Sequence, residues 1–246
     1  MENTRAWFPV RFDLIEQTAF RALKYSELVL LVDINYAMAQ YLSLLEKGMW
    51  QGGDFKRPDS LGANRLRLSL RCYRGARAKL GKLGWINYQK GCKSDSGKMF
   101  PTKFYGACYS RPKQGVRCAI IYRDVWQRMI TALYHGQIKH QDLTAFVYLV
   151  YTWELCAGVR TGRISLRRSD VESLTGMAPR AFVVALKRLR QLDPCILSFE
   201  LTAGGGVIEV VNMQFPRQET TKIEPNATTE QRNAVTAVSC NQMQYL

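Results

Sequence analysis

The sequence predicts an α+β fold, mainly helical, in which one plan of helices followed by a hairpin is written twice. Three observations carry this. Apolar residues recur at helical spacing through both halves of the chain. Each half then holds a short helix, a tight turn and a second amphipathic helix. Each of those second helices is followed by two β-prone runs joined by a polar or glycine-rich connection.

In the first half, Asp13 to Lys24 (DLIEQTAFRALK) spaces Leu14, Ala19, Phe20 and Leu23 as one helix face. Ser26 can cap a long helix that runs to about Lys47 and stops at Gly48. Its apolar run, Leu28 to Leu45, contains Asp33, Asn35 and Gln40, each costly at a bilayer centre, so it reads as a buried helix. Met49 to Pro58 reads as loop. Asp59 or Ser60 then caps a short helix ending near Leu66, Arg67 and Leu68 form the turn, and Ser69 caps a second helix through about Leu83. Tyr73, Ala76, Leu80 and Leu83 share its core face, which leaves Arg71, Arg74, Arg77 and Lys82 to project outward. Gly75 and Gly81 each cost this helix about 1 kcal/mol relative to alanine. Close packing or a nearby backbone would account for them, and so would simple tolerance. Gly84 ends the helix, Trp85 to Tyr88 begins a strand, Gly91 to Lys98 is a wing-like loop, and Met99 to Tyr109 is the returning strand.

The second half repeats the order. Val116 to Ile121 is strand-like and Asp124 to Tyr134 a helix. Asp142 caps a helix of Leu143, Phe146, Val147, Val150, Tyr151 and Trp153 that ends near Gly158. RISL (Arg163 to Leu166) is a short strand, and Ser169 opens a short helix ending at Gly176. Pro179 stands at the first position of the next helix, where its missing N–H is no loss. Phe182, Ala185, Leu186 and Leu189 form the core face there, with Arg180, Val184, Lys187 and Gln191 opposite and Arg188 flanking. CILSFEL and VIEVVNMQF, joined through TAGGG, make the closing hairpin. The expected division is residues 1–112, residues 113–215, and a Thr-, Asn- and Gln-rich tail, 216–246, without apolar period and expected to be disordered.

Charge is uneven. Gln51 to Ile120 holds sixteen Lys and Arg against three Asp and Glu, and carries +13 of the formal +15. The rest of the chain holds nineteen basic and seventeen acidic residues. Clustering of this kind in a folded module points to a polyanion, with nucleic acid the first candidate. The alternative is a solvated basic face. Seven scattered cysteines, none at C-x-x-C spacing, and an N-terminus without a signal-peptide pattern lead to the expectation of reduced thiols in a cytoplasmic protein with no membrane partner.

Little supports an enzyme or a cofactor. The chain has no phosphate-cradling G-x-x-x-x-G-K-[ST] loop and no H-E-x-x-H. Its two histidines, His135 and His140, read as loop residues after a helix end, and no Cys/His spacing suits zinc. The aromatics among the basic residues of KMFPTKFYGACYSRPK fit a wing strand facing the core better than a single-strand stacking platform.

LGANRLRLSLRCYRGARAKLGKLGWI (Leu61 to Ile86) and SDVESLTGMAPRAFVVALKRL (Ser169 to Leu189) both resemble winged helix-turn-helix modules. With their preceding helices and hairpins the resemblance covers about residues 8–215. Two such modules in a chain of this size resemble the replication initiators of bacterial plasmids and some phages, and the opening FPVRFDLIEQTAFRALKYSE is similar to their lead-in. The resemblance implies binding of repeated origin sequences in duplex DNA and help in loading host replication proteins, with a homodimer as a further expectation. In such initiators the second module usually reads the repeats, whereas here the first module is the more basic. A transcriptional regulator is the runner-up. A protein-interaction scaffold that touches no DNA, and a DNA-processing enzyme, stand further back.

The candidate DNA contacts follow. Arg67, Arg71, Arg74, Arg77 and Lys82 belong to the first turn and helix, and arginine suits guanine edges. Lys90, Lys93 and Lys98 belong to the first wing, where cations suit phosphate. Arg180, Lys187 and Arg188 belong to the second such helix, with Arg163, Arg167 and Arg168 beside it as phosphate contacts. A solvated polar face is the plainer reading of each set.

Overall fold

The computed structural model describes residues 6–46, 54–92, 101–105, 117–155, 161–193 and 196–215. Helices and strands alternate in an α+β arrangement. The first half runs β1 (Trp7–Arg11), α1 (Phe12–Ile15), α2 (Thr18–Arg21), α3 (Tyr25–Glu46), β2 (Asp54–Arg57), α4 (Asp59–Arg65), α5 (Leu70–Lys82), β3 (Tyr88–Gln89) and β4 (Thr102–Tyr105). The second runs β5 (Cys118–Tyr122), α6 (Arg123–Tyr134), α7 (His140–Leu155), β6 (Arg163–Arg167), α8 (Arg168–Thr175), α9 (Pro179–Arg190), β7 (Ser198–Gly204) and β8 (Val207–Gln214).

The two halves share one topology. Each places a long helix, a strand, two helices and two strands in that order, and each sheet is antiparallel with its last strand in the middle: β2-β4-β3 and β6-β8-β7. α5 packs on α3 as α9 packs on α7. The likeness reaches single residues. Counted from the N-caps Ser69 and Ala178, the buried positions Tyr73 and Phe182, Ala76 and Ala185, and Leu80 and Leu189 coincide. The turn residue three before helix α5, Arg67, has φ 53°, and its counterpart before α9, Gly176, has φ 66°.

The long helices begin alike. Glu27, in the third position of α3, accepts the backbone N–H of Lys24 at 2.8 Å and the Lys79 ammonium at 2.7 Å. Asp142, in the third position of α7, accepts the backbone N–H of Lys139 at 2.9 Å and Arg188 Nη1 at 3.1 Å. Each carboxylate satisfies a helix-start donor and ties the last helix of its half to the long one.

The halves meet through equivalent parts. β1 pairs antiparallel with β5, Trp7 opposite Tyr122 and Arg11 opposite Cys118. The Phe12 N–H reaches Arg117 O at 3.1 Å, and the Arg123 N–H reaches Ala6 O at 3.0 Å. α3 lies against α7, and one continuous apolar core runs through both halves. Beside that contact lies a buried polar cluster. Asp33, with no exposed surface, accepts Arg57 Nη1 at 2.6 Å, Arg65 Nε at 3.2 Å and the Trp126 indole at 3.3 Å. Arg65 Nη2 continues to Gln127 Oε1 at 2.8 Å. Burial pushes the Asp33 carboxyl up, but Arg65 and Arg57 overcome it and hold it below the usual aspartate value.

Several local expectations change. Asp13 to Lys24 forms two single turns, because Gln17 takes an extended backbone (φ −67°, ψ 136°) that lets Leu14, Ile15 and Phe20 all reach the core. Residues 54–57, expected as loop, form β2, whose buried Phe55 stacks on Phe104 at 4.8 Å. α3 begins one residue before Ser26 and is capped by Glu27. Pro58 is the N-cap of α4, so neither Asp59 nor Ser60 caps it. Trp85 and Ile86 are buried ahead of the strand, which starts at Tyr88. Leu83, expected on the core face of α5, is exposed, because the helix ends at Lys82 and Leu83 is its C-cap. His135 follows the end of α6 as expected, whereas His140 opens α7 and is not a loop residue. Ser69 does cap α5, accepting the Cys72 N–H at 3.1 Å. The tail 216–246 and the 112/113 boundary lie outside the described residues. No described helix is long and apolar enough to cross a membrane.

Candidate nucleic-acid interface

α5 buries Tyr73, Ala76, Arg77 and Leu80 and leaves the opposite stripe exposed. Arg71, Arg74, Gly75 and Lys82 stand on that stripe, with half-buried Ala78 among them. Around Gly75 the helix surface is bare: a Cβ there would meet nothing within 4 Å. Gly81 is different, since a Cβ would lie 2.8 Å from the Tyr88 ring, so close helix-to-strand packing explains it.

Arg77 does not project outward. Its guanidinium is buried, ion-paired with Asp59, bonded to Thr102 Oγ1 at 2.8 Å and placed 4.7 Å over the Tyr88 ring. The reason is geometric: position 77 follows the core face at Ala76, and Asp59 from α4 stands close enough to neutralise it. Asp59 also holds Arg74 Nε at 2.9 Å, while the Arg74 side chain stays 48% exposed. Burial raises the Asp59 carboxyl, the Arg74 and Thr102 hydrogen bonds and then Arg77 lower it, and the net shift is downward. Asp59 thus organises two arginines, a role invisible in sequence because its partners come from α5 and β4.

The other first-half candidates separate. Arg71 and Lys82 are exposed and make no ion pair with any described residue. Arg67 is exposed, and its guanidinium lies over Gly136 of the α6–α7 connection: a Cβ at Gly136 would come within 3.2 Å of Arg67 Cζ. Beside it His140 Nε2 lies 2.7 Å from Leu66 O. Lys90 is exposed and, with Arg74, Asp59, Leu70 and Thr102, lines a hollow between α5 and the β3–β4 side of the sheet. Lys93 and Lys98 lie outside the described residues.

In the second half α9 buries Phe182, Ala185, Leu186 and Leu189. Arg180, Val184, Lys187 and Gln191 form its exposed stripe, and neither Arg180 nor Lys187 pairs with a described residue. Arg188 belongs to the fold instead, since it is paired with the fully buried Asp142. Arg163 is exposed but paired with Glu209 across β6 and β8. Arg167 and Arg168 are exposed at the start of α8, near the β7–β8 turn, where the Arg168 N–H bonds Gly206 O at 2.8 Å. Phe104, the one aromatic of the basic stretch 98–113 whose side chain is described, is buried in the core, as are Trp85, Trp126 and Trp153 elsewhere. Among the described residues no group of three or more His, Cys, Asp and Glu could hold a metal ion. Comparisons with protein-family models, with curated proteins and with solved structures find no match to this chain.

Proposed function

We propose that each half is a winged helix-turn-helix module and that the protein binds duplex DNA in a sequence-specific way, most concretely as the replication initiator of a plasmid or phage. One observation carries this reading. The last helix before each hairpin, in two halves of identical topology, keeps an exposed stripe that begins in its first turn with an arginine that pairs with no described residue, Arg71 in α5 and Arg180 in α9.

The chemistry is consistent with that role. The major groove admits an α-helix, and a helix lying there needs side chains that reach base edges and phosphates. On α5 the stripe carries Arg71 and Arg74 ahead of Gly75, whose bare backbone permits a close approach. Asp59 holds the Arg74 guanidinium in place, which reduces the conformational freedom lost on binding. Lys90, Lys82, Arg167 and Arg168 would serve phosphates and so position the protein without reading sequence. The concentration of charge in residues 51–120 suits a polyanion far better than an acidic protein patch of limited size.

An initiator would bind spaced direct repeats beside an easily opened segment, bend or destabilise the neighbouring duplex and recruit host helicase machinery. A regulator built on the same modules would bind a palindrome over a promoter. Selection of bound fragments from the host replicon, followed by footprinting at two salt concentrations, separates these. Protection of spaced direct repeats supports the initiator, and a single palindrome supports the regulator. Uniform, salt-sensitive protection would remove sequence specificity, and the absence of binding would leave an interaction scaffold.

A further inference from the structure

Resting on the reading of α9 as a DNA-reading helix, we propose that Val184 recognises the 5-methyl group of a thymine, which makes the second half the reader of an apolar base feature that the first half cannot sense. Counted from their N-caps, the exposed stripes of α5 and α9 carry Arg71 and Arg180 at the first position, Gly75 and Val184 at the second, Ala78 and Lys187 at the third, and Lys82 and Gln191 at the fourth. The two helices therefore match in their leading arginine and differ at the centre. There α9 presents a branched apolar side chain that is 39% exposed, while α5 presents no side chain at all.

The position of Val184 is chemically specific. Its own helix turns Phe182, Ala185, Leu186 and Leu189 into the core, so Val184 contributes nothing to that face. Arg180, one turn before it, and Lys187, one turn after, flank it with positive charge. An apolar group framed by cations suits a surface that is anionic at its edges and locally apolar between them. The major groove of duplex DNA has that pattern: phosphates line its walls, and the thymine methyl is the apolar group on its floor. A protein surface or a lipid would not present one isolated methyl between two rows of anions.

The test uses the full-length chain and a duplex selected as its bound site. Each thymine in turn is replaced by deoxyuridine, which removes the methyl and keeps every hydrogen-bonding group. Removing one buried methyl contact costs about fourfold in affinity. The proposal expects one thymine whose replacement weakens the wild-type protein by about that factor and leaves the affinity of V184S unchanged. R180A should bind more weakly overall and keep the full thymine-to-uracil difference. Val184 is exposed, so V184S is expected to fold, and an unchanged circular-dichroism melt verifies it. If no thymine discriminates, or V184S discriminates as the wild type does, the proposal is overturned while DNA binding stands. If the wild-type protein selects no sequence at all, the DNA-reading function itself fails and the proposal fails with it.

Discussion

At the scale of single residues, the arginines of this chain divide into those that build the fold and those left for a partner, and only their neighbours distinguish them. Arg71 and Arg77 sit six residues apart on the same helix: one is exposed and pairs with no described residue, the other is buried against Asp59, Thr102 and Tyr88. R77A should lower the melting temperature, since it leaves Asp59 short of a partner at the buried side. R71A should leave the melt unchanged and weaken DNA binding by about 1–3 kcal/mol if it contacts a base. Paired thermal melts and binding titrations decide this, and equal effects of the two variants on both readouts would refute the division. Asp33 gives a second test. D33N strands Arg57 and Arg65 without their counter-charge, which costs about 3–5 kcal/mol in urea denaturation. The folded carboxyl titrates below its ordinary value of 3.8, so the stability it adds is complete above pH 3.8 and is lost as the pH falls through the folded value. The acid limb of the stability curve should therefore be shallower in D33N than in the wild type. The sequence marked Asp33 as costly in a bilayer but held no sign of its partners, which come from β2, α4 and α6.

At the scale of elements, amphipathic helices with clean breaks were readable. α5 and α9 occur where their apolar spacing and caps put them, because Tyr73 to Leu80 and Phe182 to Leu189 mark one face each and Ser69 and Pro179 mark the starts. The failures share a cause. β2 is a short strand whose stability comes from pairing with β4 and stacking of Phe55 on Phe104, both distant in sequence. The stretch after β1 splits because the core draws in Leu14, Ile15 and Phe20 from different directions. The turn between α8 and α9 supplies a sharp prediction. Gly176 has φ 66°, and a Cβ there would stand 2.8 Å from the Arg21 carbonyl oxygen. G176A should cost at least about 1–2 kcal/mol from the left-handed backbone alone, with the clash added. Chemical denaturation measures it, and a variant as stable as the wild type would show that this turn can relax.

At the scale of the whole molecule, the two halves share a strand pairing and one apolar core. Among the described residues β1 from the first half is paired only with β5 from the second, and the apolar core crosses between α3 and α7. Thermal unfolding should therefore be one transition seen alike by far-ultraviolet circular dichroism and tryptophan fluorescence; two separated transitions would show independent domains. His140 joins the α4–α5 turn to α7 through Leu66 O, and its imidazole is pushed below its ordinary value of 6.5, first by burial and then by Arg67, against the Leu66 hydrogen bond. The neutral ring is favoured in the folded state, so the stability it adds is full above pH 6.5 and declines as the pH falls towards the folded value. H140Q should flatten stability across that window.

By itself the sequence determined the helical repeat, the Ser69 cap of α5, the core positions Tyr73, Ala76 and Leu80 of α5 and the core face of α9, and the concentration of charge between Gln51 and Ile120, because each of these depends on residues a few positions apart. Only the tertiary structure decided which cations remain free. Arg77 and Arg188 are drawn into the fold by Asp59 and Asp142, and Asp33 is neutralised by arginines from two other elements. The physical reason is that a buried carboxylate requires a partner wherever the chain brings one within reach, and that reach is set by packing of distant segments rather than by sequence spacing.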